Sequence, residues 1–258
     1  MEFVDTHCHL QFEKYRARVD LVLADASRLG VKKIICVGTT LDDSKAGIEL
    51  AKGKKSAWAT VGTHPHDASN FVADPNSSKK LKIIANQPKV AAIGETGLDY
   101  YRNISPKADQ QRALRKHIEV GIELGLPLVF HIRDSWEDFW QIFDSYRDLR
   151  GVVHSFSTNR GHLDEALSRG LYIGLNGIMT FTKDQNQLEA ARAVPLDRLV
   201  LETDAPFLTP APFRGELCEP KHVATVAEFL ADLRGENLRD LASVTTANAT
   251  QLFNLQDQ

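Results

Sequence analysis

The segment Phe3-Val4-Asp5-Thr6-His7-Cys8-His9 begins as an apolar strand and runs straight into two histidines spaced i, i+2. Side chains at alternate strand positions point to the same side, so the rings of His7 and His9 can converge on one ion. Neutral imidazole nitrogen is a common ligand for transition metals, and a strand holds two rings more rigidly than a loop. Histidine pairs also occur on surfaces and in hydrogen-bonded cores, so the segment alone leaves both readings open. Its bearing on the fold is firmer. A doubly wound open sheet places a glycine-rich phosphate turn after its first strand, and Thr6-His7-Cys8-His9 has none of that character.

Beyond this segment, short runs rich in Val, Ile and Leu recur, each followed by a longer amphipathic stretch that carries the charges, a repeated β-then-α pattern. The expected strands are Phe3–Thr6, Val31–Val37, Trp58–Thr63, Val90–Ile93, Leu128–His131, Gly151–His154, Leu171–Gly174 and Arg198–Leu201. The expected helices are Val19–Leu29, Asp42–Ala51, Pro106–Leu124, Ser135–Tyr146, Leu163–Arg169, Gln185–Ala193, Lys221–Leu230 and Asn237–Ala247. Many start at Asp or Ser and stop near Gly, as in Arg28-Leu29-Gly30 and Glu123-Leu124-Gly125. Asn70–Lys80 and Pro206–Pro220 read as irregular insertions. Eight unbroken hydrophobic strands predict an α/β fold, a parallel sheet closed into a (β/α)8 TIM barrel with its active site at the carboxyl end of the strands. Such a barrel commonly takes about 250 residues. No linker or composition shift interrupts residues 1–258, so a single domain is expected.

Hydrophobic content of 43% and charged content of 25% are those of an ordinary folded protein. No apolar run approaches the roughly 18 to 20 residues of a membrane span. Met1-Glu2 leads into the first strand without a signal-peptide pattern, and a cytoplasmic protein without membrane contact is expected. Cys8, Cys36 and Cys218 are an odd number and lack CxxC spacing, which excludes a disulfide framework and a cysteine zinc knot. A net charge of −3 argues against a broad basic face for duplex DNA. A nucleic acid would have to be captured by metal and local arginines.

The barrel frame turns the strand list into a test, because chemistry on this fold gathers where strands end. His7 and His9 follow the first strand, His64 and His66 the third, His131 the fifth and His154 the sixth, so six of the nine histidines share one rim. His117 and His162 lie in helices or helix starts and read as surface residues, and His222 reads as structural. Glu95 ends the fourth strand and Asp204 the eighth. Four imidazoles, a shared carboxylate and a further aspartate suffice for two divalent ions about 3.5 to 4 Å apart, with Glu95 the natural bridge. Such a pair lowers the pKa of water toward neutrality and clamps the oxygens of a scissile group. Asp204 could bind metal, orient that water and accept its proton.

Read in order, Asp5-Thr6-His7-Cys8-His9-Leu10, Gly62-Thr63-His64-Pro65, Gly94-Glu95-Thr96-Gly97-Leu98-Asp99, His131-Ile132-Arg133, His154-Ser155-Phe156-Ser157, Glu202-Thr203-Asp204-Ala205-Pro206 and Asn248-Ala249-Thr250-Gln251-Leu252-Phe253 span nearly the whole chain. The ordered set resembles the TatD-type metal-dependent deoxyribonucleases, relatives of the amidohydrolase barrels. The resemblance implies that His7, His9, Glu95 and Asp204 hold one metal and Glu95, His131 and His154 a second. It implies that His64 contacts the substrate phosphate or assists catalysis, so that Asp204, His64 and Glu95 form the catalytic set. The activity implied is hydrolysis of DNA phosphodiesters, 3′ to 5′, on single-stranded or frayed ends. Nitrogen-rich ligation favours Zn or Mn, and the carboxylates allow Mg. A hydrolase of an amide, ester or aminoacyl-tRNA bond fits the same barrel, and a non-catalytic metal-binding scaffold is disfavoured by the full ligand set.

Two departures bear on substrate preference. In Phe213-Arg214-Gly215-Glu216-Leu217-Cys218-Glu219-Pro220, Cys218 stands where the family usually has asparagine; Ser155 follows His154 where cysteine is commoner, and Thr158-Asn159 replaces a common glycine. Arg133, Tyr100 and Arg214 join His64 as expected substrate contacts. The planar fork of Arg133 suits a phosphate oxygen, or equally an ion pair with Asp134 or Glu137. In Tyr100-Tyr101-Arg102 an aromatic could stack an unpaired base beside a cation, or simply pack the loop. Trp136, Phe139, Trp140 and Phe143 recur at helical spacing and read as core. His66 reads as a partner of a ligand, and Cys8 as an inert side chain turned into the barrel wall. The sequence leaves oligomeric state open between monomer and oligomer.

Overall fold

Buried apolar residues form the body of each strand of the barrel, and the strands pair parallel in chain order. The computed structural model describes residues 1–256. Its elements run β1 (Phe3–Cys8), α1 (Val19–Arg28), β2 (Val31–Cys36), α2 (Leu41–Ala51), β3 (Ala57–Val61), α3 (Ala68–Ala73), α4 (Ser77–Ala85), β4 (Val90–Asp99) and α5 (Lys107–Leu124). They continue with β5 (Leu128–Arg133), α6 (Trp136–Phe143), β6 (Gly151–Val153), α7 (Arg160–Ser168), β7 (Tyr172–Leu175), α8 (Gln185–Ala193), β8 (Leu199–Leu201), α9 (Val223–Arg234) and α10 (Leu238–Phe253). The expected (β/α)8 barrel is the fold. Its seam is narrow: Cys8 bridges Ala205, Asp204 N–H donates to His7 O (2.8 Å) and His9 N–H donates to Ala205 O (2.7 Å).

Local chemistry explains the boundaries. Thr40, Asn159 and Asp184 cap α2, α7 and α8 by accepting N–H groups of Asp43, His162 and Asn186. Gly125 ends α5 at φ 65°, a left-handed turn that costs glycine nothing. Asn70–Lys80, expected to be irregular, is a correction. Only residues 74–76 separate α3 from α4, because Leu81, Ile84 and Ala85 bury one helical face and so override the polar Asn, Ser and Lys positions around them. Pro206–Pro220 contains neither strand nor α-helix, as expected. The final helix extends to Phe253, and its Leu252 and Phe253 pack with Val4, Ile35, Val129, Val152 and Val200 in the barrel interior.

The interior faces are not those of simple alternation. Phe3 and Cys8 both pack in the cluster shared with the helices although they are five positions apart, while Val4 packs inside. Between the pairs Asp5–Ile34 and Cys8–Cys36, two residues of β1, Thr6 and His7, oppose the single Ile35 of β2, a bulge that inverts the alternation. From Val4 as an inward position, the inserted residue turns His7 and His9 inward and Cys8 into the wall, as expected of Cys8. The same device recurs in β4. Ile93 and Leu98 both face the helices, and the register shift between Ile93 and Thr96 puts Glu95 and Asp99 on the inner face. Two glycines make room for it. A Cβ on Gly62 would lie 2.5 Å from the Gly94 carbonyl carbon, and one on Gly94 (φ 141°) would lie 2.7 Å from Val129 O.

Candidate metal centre

His9 is held as a metal-binding imidazole usually is. Its Nδ1–H donates to Val37 O (2.8 Å), which leaves Nε2 as the ring atom facing Asp204 Oδ1 at 3.4 Å. His7 is fully buried and stacks on His154 with ring centroids 3.5 Å apart; its Nε2 lies 3.3 Å from Glu95 Oε2 and 3.7 Å from Asp204 Oδ1. Neither His7 nitrogen makes a hydrogen bond among the described residues. A buried, unpartnered donor pair carries a desolvation cost that a cation would relieve, so these residues fit a metal ion.

Glu95 is the hub. Its Oε1 is 2.8 Å from His131 Nδ1, 3.5 Å from His64 Nε2 and 3.9 Å from His154 Nε2, so one carboxylate touches both halves of the site. His154 Nε2 is also 4.0 Å from Asp204 Oδ1, and its Nδ1 lies 3.0 Å from Glu202 Oε1. Three sets of donors converge closely enough for an ion: His7, His9 and Glu95; His7, His154 and Glu202; His64, Glu95 and His131. The structure thus brings together His7, His9, Glu95, His131, His154 and Asp204, with His64 beside them.

Two carboxylates escaped notice as functional residues. Asp99 accepts from His66 Nε2 (2.9 Å) and lies 3.3 Å from His131 Nε2, orienting one ring of the site. Glu202 backs His154 and is itself fixed by Ser155 N–H (2.7 Å) and Asn176 Nδ2 (3.2 Å). Each shares a strand face with a residue already singled out, Asp99 four positions after Glu95 and Glu202 two before Asp204, which is the signal that could have found them. His66 partners the ligand set through Asp99, as expected.

The electrostatics follow from burial against charge. Burial opposes ionisation of Glu95 and Asp204, but the surrounding imidazoles outweigh it and hold both carboxyls below their usual range. Burial likewise disfavours a charged His154, yet Glu202, Glu95 and Asp204 push its ring up to about 10. The site therefore demands positive charge. His64 behaves otherwise: burial pushes it down to about 3, with the His131 and His66 rings adding to the fall and Glu95 opposing it. Its Nδ1 accepts His66 N–H (3.1 Å), so the neutral ring carries its proton on Nε2, the atom facing the cavity. That tautomer makes His64 a hydrogen-bond donor rather than a metal ligand.

These groups sit in a cavity of about 610 Å³ at the strand ends, lined also by Phe12, Arg102, Arg133, Ser155, Ser157, Ile178 and Phe207. Arg133 lines it as expected, but its guanidinium lies 4.0 Å over the Tyr101 ring, and among the described residues it forms no ion pair with Asp134 or Glu137. Tyr100 and Arg214 are corrected. Tyr100 donates to Asp138 (2.7 Å) and lies outside the cavity lining; Arg214 covers the Phe181 ring at 3.9 Å and donates to Thr209 O. Cys218 is buried, its carbonyl accepting from Tyr15, and it too stays clear of the cavity. Trp136 is half-buried and stacks on His162, while Phe139, Trp140 and Phe143 are core. His222 accepts Glu219 N–H in a capping box, a structural role.

His117, expected at the surface, is fully buried; its Nδ1–H donates to Ala113 O (2.7 Å) and its Nε2 accepts Thr63 N–H (3.0 Å), anchoring the residue before His64. Burial, partly offset by the Ala113 bond and joined by the nearby Lys116 charge, holds the ring down to about 4. A histidine depressed from about 6.5 adds stability that is whole above pH 6.5 and drains away as pH falls toward 4, about 2 kcal/mol of it by pH 5. Denaturant titrations at pH 7.5 and pH 5 should show the parent losing about 2 kcal/mol more than H117Q across that interval; parallel losses would contradict this.

An eight-stranded parallel barrel with imidazoles and buried carboxylates converging at its carboxyl end is the architecture of a metal-dependent hydrolase. The family described as TatD related DNase matches residues 4–254, and the chain belongs to it. It is 38% identical over 260 residues to an Escherichia coli K12 protein named as the uncharacterized metal-dependent hydrolase YcfH, covering 99% of this chain and 97% of that one. It is also 38% identical over 251 residues to the 3'-5' ssDNA/RNA exonuclease TatD of Salmonella typhimurium, covering 94% of each. Among solved structures, the TatD homolog YJJV of Escherichia coli superposes with a TM-score of 0.90 at 28% identity over 98% of both chains. A TatD family hydrolase of Entamoeba histolytica matches the fold with a TM-score of 0.90 over 99% of both.

Proposed function

We propose that this chain works as a single domain that hydrolyses DNA phosphodiesters from the 3′ end, on single-stranded or frayed termini, with two divalent ions. The observation that carries this is the concentration of acid: Glu95, Asp99 and Asp204 line one cavity, Glu202 is buried directly behind His154, and two divalent ions would supply the four balancing charges. His7, His9, Glu95 and Asp204 would hold one ion, and Glu95, His131 and His154 the other. Bound there, Zn, Mn or Mg would polarise the phosphate and favour ionisation of water.

The chain's own groups do the rest. Asp204 has the most accessible carboxylate of the four, with its side chain 16% exposed against 4% for Glu95 and 1% for Asp99 and Glu202. It is the group placed to take a proton from an attacking water. Its depressed pKa keeps it ionised for that task. His64 Nε2–H and the guanidinium groups of Arg102 and Arg133 offer donors to the phosphate oxygens. Asp99 and Glu202 keep the rings of His131 and His154 from turning. No helix among the described residues is long and apolar enough to cross a membrane.

Chelation tests the reading. Dialysis against EDTA should stop degradation of a single-stranded DNA oligonucleotide and lower the thermal midpoint by roughly 5 °C or more, since ions that bind only the folded site stabilise it by mass action. Added Mn, Mg or Zn should restore both. Undiminished degradation after complete chelation would refute metal dependence. A reconstituted protein that leaves DNA intact yet cleaves an aminoacyl ester would transfer the activity to acyl substrates.

A further inference from the structure

The cavity over the metal centre has two unlike walls. Arg102 follows β4 and Arg133 ends β5, whereas Phe12 follows β1, Phe207 and Leu208 follow β8, and Ile178 follows β7. In a ring ordered β1 to β8, the ends of β4 and β5 lie across from the ends of β8 and β1. One wall is cationic and the other apolar, with the convergent imidazoles and carboxylates between them.

The apolar wall is built. Phe12 lies parallel to the His9 imidazole, ring centroids 4.7 Å apart at 14°, and Phe207 meets Phe12 edge-on at 6.5 Å and 75°. The turn closed by Phe207 N–H to Asp204 O (2.8 Å) fixes Phe207 three residues from Asp204. Lys14 places its ammonium 5.8 Å from the Phe207 ring. Phe207 nonetheless remains 47% exposed, a large aromatic surface in the apolar wall. Such a surface is costly in water and suits a flat, π-faced ligand.

From these walls we infer that Phe207, backed by Phe12, is a stacking platform for the nucleobase of the nucleotide whose phosphodiester lies at the metal centre. The inference rests on the nuclease reading and adds the residue that would make the site select single strands. A phosphodiester seeks the arginine side and the metal donors, and the attached base then falls toward the aromatic side. A base inside a duplex has both faces covered by its neighbours and its edge held by its partner, so only an unpaired end can lie on Phe207. The wall would therefore select single strands without reading sequence, because every base presents a π-face.

The test is a cycle on metal-loaded enzyme: parent, F207A and F207W, each with a single-stranded oligonucleotide and with the same oligonucleotide carrying abasic tetrahydrofuran units at its 3′ end. Loss of the platform, or loss of the terminal bases, should each raise KM about 10-fold. Together they should cost no more than either alone, and F207W should restore the parent KM on the base-bearing strand. The inference is overturned if F207A leaves KM unchanged, or if the two losses multiply, which would mean that Phe207 acts on the Asp204 turn and not on a base. If the parent degrades no oligonucleotide, the nuclease reading itself fails. If the parent degrades both strands without the coupling, only the stacking inference fails.

Discussion

Replacing Asp204 with asparagine is expected to lower kcat on single-stranded DNA by about 10²- to 10⁴-fold, the range typical of a lost general base. Asparagine keeps the shape and one oxygen of the side chain, so contacts with His7 and His9 can persist in altered form, but it cannot accept a proton from water. The backbone around it also has reason to stay in place. Asp204 sits at φ 60°, a left-handed conformation that asparagine tolerates well, held by its N–H to His7 O. Steady-state kinetics with the D204N variant, alongside metal content and thermal midpoint, separates the roles. A large fall in kcat with retained metal assigns Asp204 to proton transfer, and turnover within a few-fold of the parent would remove it from the chemistry.

The second large effect is expected at Glu95. Its carboxylate reaches His7, His64, His131 and His154, and among the described residues it is the one carboxylate that touches both His7 and His131. Neutralising it as E95Q should cost at least one bound ion per chain. The loss of several kcal/mol of charge stabilisation should cut turnover on the order of 10³-fold or more. Elemental analysis after gel filtration reads the metal loss directly, with hydrolysis measured on the same sample. Full metal content with near-parent activity would show that Glu95 is a buried ion-pair partner and nothing more. The variant should remain folded, because the barrel's apolar interior and its seam do not pass through Glu95.

Much of the fold was legible because its signals are local. The strands at Leu128–His131 and Gly151–His154 are continuous apolar runs ending in a histidine, and simple alternation from Val129 and Val152 already turns His131, Arg133 and His154 inward. Errors arose where long-range contact outweighed local character. α4 is polar along much of its length and forms because its own Leu81 and Ile84 find a buried face in the folded chain. His117 looks like any charged-face residue of α5, and only the arrival of Thr63 N–H makes it a buried acceptor. Tyr100 and Tyr101 are adjacent and chemically alike. Which one meets Arg133 depends on Asp138, a residue of the next helix that holds the Tyr100 hydroxyl.

By itself, the sequence determined the barrel, the end of it that carries chemistry, and the donor types. Hydrophobic period and residue chemistry are properties of the chain and survive without a partner strand. The direction in which His7 and Glu95 face was decided only by tertiary structure. Strict alternation from Val4 and Ala92 would turn both outward into the helices, and two bulges invert it, one in β1 and one in β4. A bulge exists only in the register between paired strands, so neither strand's own sequence contains it. The seam adds the last condition: Asp204 reaches His7 and His9 because the eighth strand's extension bonds to the first across the whole length of the chain. The opening histidine pair therefore becomes a candidate metal site through the closure of the barrel, the step that brings its carboxylates within reach.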